Sequence, residues 1–150
     1  MAISTIGTHF MKGTGSGNSM TWAELFKFKS GPDMGGTPEL LDTTTQADHG
    51  RTGILGLESN DTKTYTLNYD PVVYDAIKAL EGQEIDVSEW LGDTYNASTN
   101  SYEPSGAYGK FTGKGYISVY RNGGDVNTVR DMTVSLAMTV PFAKEITASA

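Results

Sequence analysis

The stretch Tyr65-Thr-Leu-Asn-Tyr-Asp-Pro-Val-Val-Tyr-Asp-Ala-Ile-Lys-Ala-Leu-Glu-Gly82 decides how this chain folds. Tyr65, Leu67 and Tyr69 alternate with Thr64, Thr66 and Asn68, the two-residue period of a strand with unlike faces. At Asp70 the period changes. Its carboxylate can accept from the free N–H groups of a helix start, and Pro71 suits the first helical position, where no donor is needed. Val73, Ala76, Ile77 and Leu80 then recur at helical spacing, and Gly82 offers a left-handed stop. This predicts a helix over about residues 71–81. Isolated helices shorter than about 12–15 residues are marginal in water, so this one must lie on a sheet. No other stretch competes with it as a helix, and the chain reads as one helix packed on a β fold.

The bulk composition agrees with a single domain of 150 residues that has a real core. Eighteen glycines suit many turns and short strands. The absence of cysteine excludes disulfides and thiolate chemistry. No apolar run approaches the ~20 residues of a membrane span, and the first ten residues lack the pattern of a signal peptide, so assembly in a cytoplasm is expected. Asp plus Glu number 18 against 11 Lys plus Arg, a net charge of −7. Such a surface gains nothing by releasing DNA counterions, which argues against gripping nucleic acid.

Along the chain, residues 1–20 read as a flexible N-terminal arm and glycine loop, with Ile3, Ile6 and Phe10 leaving a first strand open. Trp22-Ala-Glu-Leu-Phe-Lys-Phe28 reads as a strand. Residues 29–41 hold two prolines and three glycines, which oppose a regular ladder or helix. A loop of this length is uncommon unless functional or disordered, and Met34, Leu40 and Leu41 give it apolar side chains that a solvated linker does not need. Thr43-Thr-Thr45 suggests a short strand before a polar turn. Residues 92–109, nearly all Ser, Thr, Asn, Gly and Tyr, read as an exposed polar hairpin excursion, the stretch most prone to disorder. Gly113 and Gly115 on the apolar face of the next strand leave room for the helix. Arg121-Asn-Gly-Gly124 signals a tight hairpin. Met132, Val134, Leu136, Met138 and Val140 then form the cleanest apolar face, ended by Pro141, with residues 142–150 as a tail.

Catalytic patterns are missing. His9 and His49 lack ligand spacing for a metal, and neither a metal nor any other cofactor is expected. Glu81, Glu84, Asp86 and Glu89 lie along a polar stretch, where no carboxyl is desolvated enough for paired acid–base work. No G-x-S-x-G elbow exists to activate a serine. The residues alone give an acidic, non-enzymatic β domain.

Certain strings say more. Trp22-Ala-Glu-Leu-Phe26, then Gly31-Pro-Asp-Met-Gly-Gly-Thr-Pro-Glu-Leu-Leu-Asp-Thr-Thr-Thr45, resemble the tail tube (major tail) proteins of long-tailed bacteriophages. Gly53-Ile-Leu-Gly56, residues 64–70, Gly113 and residues 127–132 extend the resemblance over about residues 20–140. It implies a mainly β fold, a β-sandwich or half-barrel flanked by one helix, with six copies closing into a ring and rings stacking into a hollow tube. The implied assembly loop comprises Pro32, Asp33, Met34, Gly35, Gly36, Thr37, Pro38, Glu39 and Leu40, reaching to neighbouring subunits. The extra immunoglobulin-like C-terminal domain of some relatives is not expected.

The tube would sit in the virion tail and conduct DNA at ejection without binding it. Its partners would be further copies of itself, a tape-measure protein, a tail terminator and distal-tail or baseplate proteins. Candidate lumen-facing residues are Thr112, Ser118, Thr133, Ser135 and Thr139. Tubes of contractile tails or type VI-like secretion systems are the near alternative. A carbohydrate-binding virion or surface module, stacking sugars on Tyr95, Tyr102 and Tyr108, is the distant one.

Overall fold

A computed structural model describes residues 2–15, 19–34, 38–58 and 62–145, with Glu58 described by its backbone alone. In chain order the elements are β1 (Thr8–Thr14), β2 (Thr21–Phe26), β3 (Pro38–Asp42), β4 (Gly53–Glu58), β5 (Lys63–Asn68), α1 (Pro71–Leu80), β6 (Glu84–Asn96), β7 (Ser101–Arg121) and β8 (Asp131–Lys144). Six strands form one antiparallel sheet in the order β2-β1-β6-β7-β8-β5, and β3 pairs with β4 in a separate ribbon.

The sheet curls around its own core. β2 and β5 are its two edges, yet Phe26 and Tyr65 bring their ring centroids to 5.6 Å, and Phe10 reaches Tyr65 at 5.1 Å. Just past β2, Lys29 N donates to Thr66 O at 2.7 Å and Thr66 N to Ser30 O at 3.0 Å. That single bridge joins the edges without a ladder, so the sheet is a half-barrel rather than a closed barrel. Tyr65, Leu67, Val87, Ile117, Val119, Met132, Val134 and Leu136 fill the interior. Their strict alternation along β5, β7 and β8 is what makes one face of the sheet apolar.

The helix forms as its caps dictate. Val72 N donates to the Asp70 carboxylate at 2.9 Å, Pro71 opens the first turn, and Gly82 adopts a φ of 84° just beyond the end. Ile77 is fully buried, with Val73, Tyr74 and Leu80 packed around it, while Ala76 stays exposed. Glu81, after the last turn, accepts from Val119 N at 3.0 Å. β6 begins opposite Tyr116, so this side chain satisfies a β7 donor that the neighbouring strand does not reach.

Several expectations change. The N-terminal arm is shorter than residues 1–20, because Phe10 inserts fully into the core and Thr8–Thr14 pairs on both sides. Gly13 belongs to β1, where a Cβ would meet Met20 Sδ at 2.7 Å. The excursion at residues 92–109 is a hairpin, as expected, but its arms are paired strands: past an irregularity where Leu91 pairs with Gly109 and Asp93 with Pro104, the β6–β7 pairing runs to Asn96↔Ser101. Gly113 and Gly115 make room for β8, not for the helix, since a Cβ would meet Val140 O at 2.7 Å and Ala137 O at 2.6 Å respectively. Arg121-Asn-Gly-Gly124 opens a longer loop over residues 122–130 rather than a tight turn, closed by Asn122 N donating to Asp131 O at 3.0 Å.

Pro141 does not end β8. The register slips against Thr112 and Lys114, and past Leu136 no described residue pairs on the β5 side of the strand, so a missing N–H is tolerated there. The slip rotates Val140 outward to 49% exposure and turns Phe142 inward, so the expected tail starts no earlier than Glu145, and residues 146–150 lie outside those described.

Candidate assembly surfaces

Among the described residues, the largest group of exposed apolar side chains on one element pair is on the β3–β4 ribbon. Where a long irregular loop is expected, the chain instead makes a strand from Pro38, the first residue of an edge strand, where proline loses no ladder bond. Thr43-Thr-Thr45, expected as a strand, is irregular chain leading into the turn at residues 46–47. Its hydroxyls and N–H groups bond Asp42 and Asp48, holding both carboxyls below their ordinary range. Leu40 pairs with Leu55 and Leu41 with Ile54. None of these side chains joins the core, and their exposure runs from 44% at Leu41 to 74% at Leu55.

The expected assembly residues therefore divide. Pro32 is half-buried, Asp33 is exposed, and Met34 is partly buried against the chain's own core. Pro38, Glu39 and Leu40 stand out on the ribbon, whereas Gly35, Gly36 and Thr37 lie outside the described residues. The consecutive Leu40-Leu41 and Ile54-Leu55 were the available signal for the ribbon, hidden by the flanking prolines and glycines.

The sheet face turned away from the core is the second surface. Register puts Ser118 opposite Ser135 and Thr133 opposite Tyr120 on this face, with Thr112 on the same alternation along β7. Ser118 and Thr139 are exposed and Ser135 is half-buried. Thr133 is buried and donates its hydroxyl to Asn122 at 2.8 Å, and Thr112 is tied to the buried Ser88 at 3.1 Å. Tyr116 and Tyr120 complete the patch, and Asp86 meets Lys114 at 3.7 Å across it. Its chemistry is hydroxyl, phenol and one compensated ion pair.

Neither histidine gathers a metal site. His9 lies on the outward face between Glu24 at 2.6 Å and Asp93 at 3.2 Å, and His49 is in the ribbon turn. Among the described residues no cluster of three or more His, Asp or Glu is arranged to hold a metal ion. The acidic stretch does not pair either. Alternation sends Asp86 outward and Glu89 inward, where Tyr65 donates to it at 2.9 Å. Contrary to the solvated reading, burial raises the Glu89 pKa, and burial together with the Glu89 charge keeps Tyr65 protonated. At the end of the long β6–β7 hairpin, Tyr95 and Tyr102 pack on each other with centroids 5.1 Å apart, and the Tyr95 hydroxyl donates to Asn100. Among the described residues no helix is long and apolar enough to cross a membrane.

No protein-family model matches the sequence, and no curated protein matches it. Solved structures do. One chain of the PVC sheath/tube terminator of an extracellular contractile injection system, in its extended state, superposes with a TM-score of 0.64 at 11% identity, covering 97% of this chain and 98% of that one. A chain of the six-fold symmetrised anti-feeding prophage baseplate gives a TM-score of 0.61 at 12% identity, covering 97% of each. Over nearly its whole length the protein shares its fold with chains of these phage-like injection machines.

Proposed function

We propose that this protein is a structural subunit of a phage or phage-like tail. It assembles through copies of itself into hexameric rings that stack as a tube, and the tube serves as the conduit for DNA or cargo. The observation that carries the reading is the β3–β4 ribbon, whose large apolar side chains stand clear of the chain's own core. Monomeric proteins seldom leave such surface bare, and a subunit that closes into rings covers it. The full-length likeness to tail-machine components supports the same conclusion. The terminator likeness favours a contractile-type tail or injection tube over a non-contractile one. Tape-measure, terminator and baseplate proteins are then the partners inside and at the ends of the tube.

A ring that ends a tube without stacking is the second reading, favoured by the same terminator likeness. Negative-stain microscopy with sedimentation over a concentration series tests both. Hollow tubes are expected for the first reading and single rings for the second. A monomer at every concentration would overturn both.

A further inference from the structure

We infer that Glu89 anchors a guanidinium-binding groove, which takes the side chain of an arginine presented by a partner polypeptide. The site is complete within one chain, so it stands apart from the self-assembly reading above. The groove holds about 620 Å³ and opens between the N-terminal segment 3–8, the chain just past β2 at residues 28–32, and β6. Its walls are pinned. Gly92 N donates to Gly7 O at 3.0 Å and Lys29 N to Thr66 O at 2.7 Å, which fixes both flanking segments. Phe28 packs edge-on against Tyr65 with ring centroids 4.9 Å apart. Tyr108 lies over Gly92, where a Cβ would meet its ring at 3.0 Å, and its own side stays 53% exposed.

Among the described residues, Glu89 is the one carboxyl lining this groove and Lys29 the one base. Lys29 is engaged elsewhere, its Nζ donating to Asp131 at 2.6 Å. Glu89 Oε2 accepts from the neutral Tyr65 hydroxyl at 2.9 Å, and Oε1 has no partner among the described residues. A half-buried carboxylate is thereby left without a counter-charge in an open groove. Burial already disfavours its ionised form, and a bound cation restores it.

The lining selects guanidinium over ammonium. A planar fork can meet both oxygens of one carboxylate, whereas an ammonium acts as a point charge. Guanidinium is also the more weakly hydrated cation, so entering a partly buried groove costs it less. Its flat faces stack on aromatic rings, and Phe28 and Tyr108 both line the walls. The long aliphatic stem of arginine can lie along Leu91 while the head reaches Glu89.

Equilibrium dialysis of the full chain against labelled Nα-acetyl-arginine N-methylamide tests this on monomers and assemblies alike. One saturable site per chain is expected. The uncharged isostere, Nα-acetyl-citrulline N-methylamide, should bind roughly tenfold more weakly, and the matching lysine probe should also bind more weakly than the arginine one. Glu89→Gln keeps an acceptor for Tyr65 but carries no charge, and should lose roughly tenfold in affinity. Tyr108→Ser changes an exposed ring, so it should melt like the wild type and weaken binding severalfold. If Glu89→Gln does not fold, Tyr108→Ser decides. No saturable binding, a citrulline or lysine probe that binds as tightly, or unchanged affinity in either folded variant would each overturn the proposal. Ring and tube formation is read separately by sedimentation, so the site and the assembly reading can fail independently.

Discussion

Glu89 is a half-buried carboxyl on the core side of a strand, bonded by the Tyr65 hydroxyl at 2.9 Å. Burial raises its folded-state pKa above the unfolded value, so the folded protein binds this proton more tightly. Stability from Glu89 is therefore greatest at low pH and is lost as pH rises through the unfolded and then the folded pKa. Glu89→Gln keeps an oxygen to accept from Tyr65 and cannot ionise. We expect it to melt at or above the wild-type temperature at pH 8 and to flatten the pH profile between mildly acidic and neutral pH. An unchanged profile would place the proton elsewhere. The register of β8 gives a second residue-scale expectation. Leu136→Ala should destabilise by about 2–5 kcal/mol, a large share of a total near 5–15, because Leu136 is wholly buried. Val140→Thr, beyond the register slip, should shift the urea midpoint little. The Met132-to-Met138 alternation was readable in the sequence, but the slip that frees Val140 depends on contacts with Gly113 and Gly115 of another strand.

At the scale of elements, the helix was legible because its determinants are local: Asp70 and Pro71 at one end, Gly82 at the other. β5, β7 and β8 were legible from period two. The ribbon was not, because Pro38 and the glycines read as breakers and because consecutive apolar residues carry no alternation to mark a strand. β1 was left open between arm and strand for a related reason, since its pairing with β2 and β6 is supplied by residues far along the chain. Replacing residues 38–58 by a short Gly/Ser linker should leave a folded, cooperative monomer, as no residue of the ribbon belongs to the core. Far-ultraviolet circular dichroism and sedimentation on one sample decide it. Loss of the monomer fold would make the ribbon part of the domain, and tubes that persist without it would remove its role in assembly.

Over the whole molecule, the outward sheet face is where a conduit would meet its cargo. An excess of acid over base across the chain and a hydroxyl-rich patch at Ser118, Ser135 and Thr139 offer DNA phosphates no counterion release. Screening confines repulsion to about 8–10 Å at ordinary salt, so the patch acts only on a duplex close to the wall. In the proposed ring a lysine introduced here would be repeated once per subunit, which would turn a neutral wall into a basic collar. Ser118→Lys and Thr139→Lys, both at exposed positions, should assemble and retain short duplex DNA at low salt, with retention falling steeply as salt rises. Thr133→Lys should instead fail to fold, since Thr133 is buried and bonded to Asn122. Location decides between an inner and an outer wall: duplex held inside a tube resists nuclease, whereas duplex on the exterior is cut. Retained DNA that stays nuclease-sensitive would put this face on the outside of the tube, and lysine tubes that retain none would end its assignment to the channel.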